Sequence, residues 1–130
     1  MTITPDDAPS PGVTAARGFR ASGVVAGLKA SGRPDLAIVV NDGPLEVGAA
    51  VFTSNRVVGA PVTWSREVVK DGVVSAVVLN SGGANVATGP EGFADSHRTA
   101  EQVAEALGRS AADVVVCSTG LIGVRLASEK

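Results

Sequence analysis

Apolar and polar positions along this chain fall into short blocks, most of them closed by glycine, proline, asparagine or aspartate. Leu36-Ala37-Ile38-Val39-Val40 is a compact, β-branched apolar run. A run that short, followed by Asn41-Asp42-Gly43-Pro44, reads as a buried strand and a turn. Val47–Thr53 reads as the next strand, and the short connection predicts an antiparallel hairpin between the two. Val73–Leu79 and Asp113–Cys117 read as further strands. Phe19–Leu28 is apolar but punctuated by Gly23 and Gly27, which fits a strand with a bulge or a close backbone neighbour. Thr63–Lys70 reads as a short helix, entered after Pro61 and stopped by Asp71-Gly72. The clearest helix is Asp95–Leu107. Ala100, Val103, Ala104 and Leu107 lie at i, i+3, i+4 and i+7 and form one apolar face. Asp95 or Ser96 caps its start, and Gly108 follows its end. Together these elements predict an α/β fold, a mixed sheet with packed helices. Residues 1–16, with Pro5, Pro9, Pro11, Asp6 and Asp7, read as a loose tail, and residues 17–130 as the folded segment.

Composition narrows the classes. Hydrophobic residues make up 45% of the 130 and charged residues 18%, the opposite of a disordered balance. Aromatic content is 3%, so the core is built from Val, Ala, Leu and Ile, and Gly 16 adds backbone freedom that folding must remove. Two readings stay open: a chain that needs a partner surface for stability, and an ordinary compact α/β domain with tight turns. A net charge of −2 without a basic stripe gives nucleic-acid binding no electrostatic support. The apolar runs are interrupted well short of a membrane span. Met1–Pro11 lacks the basic and apolar regions of a secretory signal, so a cytoplasmic location is the default. A single cysteine, Cys117, and a single histidine, His97, exclude an internal disulfide and a multi-cysteine metal site. No cofactor or metal site is read.

Three constellations carry chemical promise. Asn80-Ser81-Gly82-Gly83-Ala84-Asn85-Val86-Ala87-Thr88-Gly89 is a glycine-rich loop between strand and helix, resembling an anion cradle. It lacks the lysine and spacing of a nucleotide loop. Its other reading is a tight loop held by asparagine and serine side chains. Cys117-Ser118-Thr119-Gly120-Leu121-Ile122-Gly123 ends an apolar strand abruptly. The amide of Gly120 can meet a ligand unobstructed, and the Thr119 hydroxyl is a second donor. Two convergent donors are what an oxyanion hole requires, although a plain turn has the same composition. Cys117 with His97 is a nucleophile-and-base combination. The competing reading makes Cys117 core filler and His97 a surface polar group. Glu101 and Glu105, at i and i+4, put like charges on a solvated face.

Four ordered segments then resemble one family. Gly18–Lys29, Val51–Val57 with Ala60-Pro61-Val62, Leu79–Gly89 and Cys117–Gly123 are similar, in order and spacing, to signatures of the ornithine acetyltransferases (glutamate N-acetyltransferases). The likeness spans about residues 18–130. It implies the N-terminal portion of that family's α/β fold and transfer of an acetyl group from N-acetylornithine to glutamate in arginine biosynthesis. Some members also use acetyl-CoA. The family's precursor cleaves itself, and the threonine that begins the β chain is the nucleophile, with its own amine as base. By resemblance, Thr119 and Gly120 hold the oxyanion, and Cys117 is structural. The nucleophile, the cleavage site and the substrate-binding residues are expected beyond Lys130, which leaves the chain inactive alone. Its expected partners are the remainder of the α chain and the β chain, in a higher αβ oligomer. The alternative is a truncated, non-catalytic paralogue acting as an interaction module.

Overall fold

The computed structural model describes residues 12–126; most of the expected tail and the last four residues lie outside the described residues. Four strands, β1 (Phe19–Val24), β2 (Leu36–Asn41), β3 (Ala76–Gly83) and β4 (Val114–Leu121), form one sheet in the order β1-β2-β3-β4. The first three are antiparallel neighbours, whereas β3 and β4 are parallel. Helix α1 (Ala60–Val68) lies between β2 and β3 in sequence. Helix α2 (Gly89–Leu107) is the crossover that a parallel β3–β4 pair demands. The mixed α/β sheet expected from the sequence is therefore present.

Side chains alternate across a strand, so register sorts the residues into two faces. Leu36, Ile38 and Val40 share one face with Ala76 and Val78 and with Val114 and Val116. Ala100, Val103 and Ala104 of α2 close over that face, with Trp64 and Leu107 at its margin. The predicted apolar stripe is thus the buried side of α2. The other face carries Ala37, Val39, Val77, Leu79, Val115 and Cys117. None of these belongs to the core cluster, and Leu79 is 39% exposed.

Several expectations change. Val47–Thr53 forms no hairpin with β2, because β1 and β3 already occupy both edges of β2. It makes one antiparallel bridge, Val47 to Val73, supported by Val74 N donating to Glu46 O (2.7 Å) and Gly48 N to Gly72 O (2.9 Å). Strands β3 and β4 run beyond their apolar blocks, because Asn80–Gly83 pairs with Ser118–Leu121. A backbone ladder needs no apolar side chain, so the hydrophobic pattern underestimates both. β1 stops at Val24, short of Leu28. The Asp35 carboxylate accepts from Ala26 N (2.7 Å) and Lys29 N (2.8 Å) and draws that stretch into a loop.

Both helices start earlier than predicted. Pro61 and Pro90 sit in their first turns, where the missing N–H is harmless. Asp95 and Ser96, expected as caps, are buried inside α2, and Thr88 holds the N-cap position without a side-chain cap bond. Gly108 ends α2 in the left-handed conformation, φ 65, as its position suggested.

Asp95 instead receives a two-pronged contact from Arg125, Nε to Oδ2 and Nη2 to Oδ1, both 2.8 Å. That guanidinium holds the Asp95 carboxyl below the usual carboxylate range, against the opposing effect of burial. The stability it contributes is present above the unfolded carboxylate value, about pH 4, and is lost as pH falls through the lower folded value. Thermal melts should therefore show Tm falling as the medium is acidified below about pH 4. Asp95→Asn should melt lower at neutral pH and show a shallower acid limb. An unchanged acid limb in that variant would remove Asp95 from the explanation.

Candidate active site at the paired ends of two strands

The Ser-Thr-Gly segment expected as a turn is the last part of β4. Its register is Asn80 to Ser118, Ser81 to Thr119, Gly82 to Gly120 and Gly83 to Leu121. Where the Gly120 amide points therefore decides whether it can serve a ligand. β4 is an edge strand, and its outer side is revealed by α1. Val116 N donates to Ser65 Oγ (3.1 Å), Ser65 Oγ donates to Val116 O (2.9 Å), and Trp64 Nε1 donates to Val114 O (2.9 Å). Even-numbered residues of β4 thus turn their backbone groups away from β3. The opposite parity agrees: Leu121 O accepts from Ala84 N (2.8 Å), towards β3 and its continuation. Across the ladder, Ser81 N donates to Asp35 O (2.8 Å), away from β4. Successive peptide units of a strand face opposite edges, so the Gly120 amide falls on the outer side of the sheet. Gly120 is in register with Gly82, yet its N–H is not spent on β3.

Glycine is required here by close approach. Gly82 and Gly120 have φ 135 and 132, a region that side-chain-bearing residues rarely enter. A Cβ on Gly120 would lie 2.6 Å from the Gly82 carbonyl carbon and 2.7 Å from Gly83 N. A Cβ on Gly82 would lie 2.8 Å from Leu28 O. Three backbone segments stack at this corner. Thr119, one residue before, rises from the open face of the sheet, beside Ser81. Both Thr119 and Gly120 are exposed. A groove of about 250 Å3 beside this end of the sheet is lined by Ala37, Leu79, Ser81 and Thr119 of the open face, together with Gly23 and Pro34. A second, of about 320 Å3, follows the outer edge past Phe52, Pro61, Val86, Cys117 and Ser118.

The asparagine-rich stretch is strand in its first part and a side-chain-held connection in its second. Asn80–Gly83 is strand, and Asn85 is buried with φ 51. Its Nδ2 donates to Gly92 O (2.7 Å) and Ser96 Oγ (3.0 Å), and its Oδ1 accepts from Thr88 Oγ1 (2.6 Å). These amides and hydroxyls face one another, and they knot the β3–α2 connection to the body of α2.

Cys117 and His97 do not meet. Cys117 belongs to the open face and is exposed, which corrects its reading as core filler: strand alternation turns it from the helices. Desolvation pushes its thiol up from the ordinary range, away from the thiolate a nucleophile needs. His97 sits on α2, on the other side of the sheet, with its ring 4.8 Å from that of Trp64 and Nε2 3.5 Å from Glu101 Oε1. Glu101 and Glu105 are exposed, as a solvated face requires. Ser65, Trp64 and Arg125 were not singled out from the sequence. Their partners lie 30 to 51 positions away, beyond any local spacing rule. Among the described residues no group of three or more His, Cys, Asp or Glu could hold a metal ion, and no helix is long and apolar enough to cross a membrane.

The fold is thus a mixed α/β sheet whose parallel pair ends in an exposed threonine–glycine step, with an amide turned to the free edge. The chain belongs to the ArgJ family, whose sequence model matches residues 20–130. It is 65% identical over 118 residues to the arginine biosynthesis bifunctional protein ArgJ of Streptomyces avermitilis, and 61% identical over 118 residues to that of Thermobifida fusca. Each match covers 91% of this chain and 31% of the relative. The chain thus spans about a third of the length of these curated relatives. Among solved structures, it is similar to ornithine acetyltransferase from Mycobacterium tuberculosis complexed with ornithine, with TM-score 0.89 and 57% identity. That match covers 90% of this chain and 63% of the other. Arginine biosynthesis bifunctional protein ArgJ from Bacillus halodurans follows at TM-score 0.84 and 37% identity, covering 90% and 61%.

Proposed function

We propose that residues 17–130 supply the oxyanion-binding part of a cytoplasmic enzyme of arginine biosynthesis that moves an acetyl group from N-acetylornithine to glutamate. The observation that carries this reading is the Gly120 amide, turned to the free edge of β4 directly after Thr119. The nucleophile is a threonine hydroxyl on polypeptide outside this chain. Its oxygen bonds to the acetyl carbonyl carbon while the carbonyl π pair moves onto oxygen. The Thr119 hydroxyl and Gly120 N–H donate to that oxyanion. The nucleophile's proton passes through its base to the leaving amine, and collapse of the intermediate releases ornithine. Glutamate's amine then attacks the acetyl ester carbon through a second oxyanion at the same donors; the amine's proton returns through the base to the threonine oxygen as the ester C–O bond breaks, releasing N-acetylglutamate and the free hydroxyl. Preorganised donors cost no reorganisation when the charge forms, which is why they accelerate the step.

The remainder of the α chain and the β chain are the proposed partners, and the open face through Ala37, Val39, Val77, Leu79 and Val115 is the proposed contact. An apolar sheet face of this kind stabilises an assembly when another layer covers it.

The test is reconstitution. The chain is co-expressed with the remaining two-thirds of the Streptomyces avermitilis relative, and acetyl transfer from N-acetylornithine to glutamate is assayed. Turnover is expected from the co-purified complex and not from the 130 residues alone. Turnover by the isolated chain would overturn the proposal. So would an inert complex, if the relative's own third restores activity under the same conditions.

A further inference from the structure

Of the hydroxyls at the end of β4, that of Ser118 is already committed. Bonds from α1 to β4 reach as far as Val116. Past that point, among the described residues, the strand carrying Thr119 and Gly120 is held by its ladder with β3, by Leu121 O accepting from Ala84 N and Gly123 N donating to Val86 O just after it (both 2.8 Å), and by one side-chain link. Ser118 Oγ donates to Asn80 Oδ1 at 2.5 Å. Asn80 is 8% exposed, and its Nδ2 donates to Gly83 O at 3.4 Å. One asparagine therefore ties the end of its own strand and the neighbouring strand together. It does so from the helix-facing side of the sheet, opposite the Thr119 hydroxyl, so Asn80 does not reach the reacting atoms.

We infer that Asn80 and Ser118 are positioning residues for the oxyanion donors, an inference that rests on the function proposed above. Their link fixes the rung immediately before Thr119 and Gly120, on an edge strand whose hydrogen bonds from α1 end at Val116. An edge strand free to shift by a fraction of an ångström would misplace both donors at once, and small misplacements of catalytic groups are costly in rate. The effect belongs in kcat, because bound substrate gains little from donors tuned to a charge it does not yet carry.

The experiment uses a complete enzyme in which residues 20–130 of this chain replace the matching third of the Streptomyces avermitilis relative. Ser118→Ala should lower kcat roughly tenfold, as expected for one lost hydrogen bond that orders two donors, and leave KM within about twofold. Ser118→Thr keeps the hydroxyl and should restore most of the loss. Asn80→Ala removes the same link, so the double variant should be no slower than the slower single variant. Should Asn80→Ala fail to fold, Ser118→Ala and Ser118→Thr still decide. Thr119→Ala is measured beside them. If it leaves kcat intact, the oxyanion reading itself fails and takes this inference with it. If Thr119→Ala is slow but Ser118→Ala keeps its kcat, or changes only KM, or is not rescued by threonine, the positioning role alone is overturned.

Discussion

In the complete enzyme, Thr119→Ala should lower kcat by about 10² to 10³ while KM moves only a few fold. The substrate carbonyl oxygen carries a partial charge, whereas the tetrahedral oxygen carries a full one, and the hydroxyl interacts far more strongly with the second. Gly120 remains as a donor, so the variant stays faster than the reaction without enzyme. Among the described residues the Thr119 side chain makes no hydrogen bond, so its removal should leave the melting curve almost unmoved. Thr119→Ser retains the hydroxyl and should recover much of the rate. Steady-state kinetics on the three proteins checks all of this, and an alanine variant that turns over like the parent would dissolve the assignment.

The second large effect is on folding. Gly120→Ala should destabilise by about 3 kcal/mol, combining a backbone conformation alanine rarely adopts with overlap against Gly82 and Gly83. The clash is with main chain, 2.6 and 2.7 Å from the added carbon, so no side chain can swing aside to relieve it. The strands must separate or the peptide must rotate, and either motion moves the Gly120 amide. Thermal or denaturant unfolding should therefore show a marked loss of stability, together with a fall in turnover. Gly123→Ala makes a useful contrast. Its φ of 79 is also left-handed, but an added carbon there meets nothing within 4 Å, so the loss should be smaller. Equal stabilities for Gly120→Ala and the parent would contradict the close approach.

The Val-rich blocks announced β2, β3 and β4, and the stripe through Ala100, Val103, Ala104 and Leu107 announced α2, because burial leaves a period in the sequence. Strand ends left no such trace. Asn80–Gly83 and Ser118–Leu121 look like loop but pair through backbone, and Val47–Thr53 looks like strand but finds both edges of β2 taken. Asp95 looked like a cap because it precedes an apolar stripe; its actual partner, Arg125, lies 30 positions away and only tertiary structure joins them. Thr119 and Gly120 stand out as candidates only through the resemblance to family signatures. Why the Gly120 amide is available was not legible, since that depends on which parity of β4 faces α1.

The open face has Thr119 at one end and runs back through Leu79, Val115 and Val77. A layer laid over those apolar side chains would also roof the threonine. Hydrophobic closure and exclusion of water from the reaction centre would then be a single event, and dehydration strengthens every donor aimed at a nascent anion. Assembly would thereby act as the switch for competence: until the greasy surface is covered, the donors stand in solvent, with water competing for them.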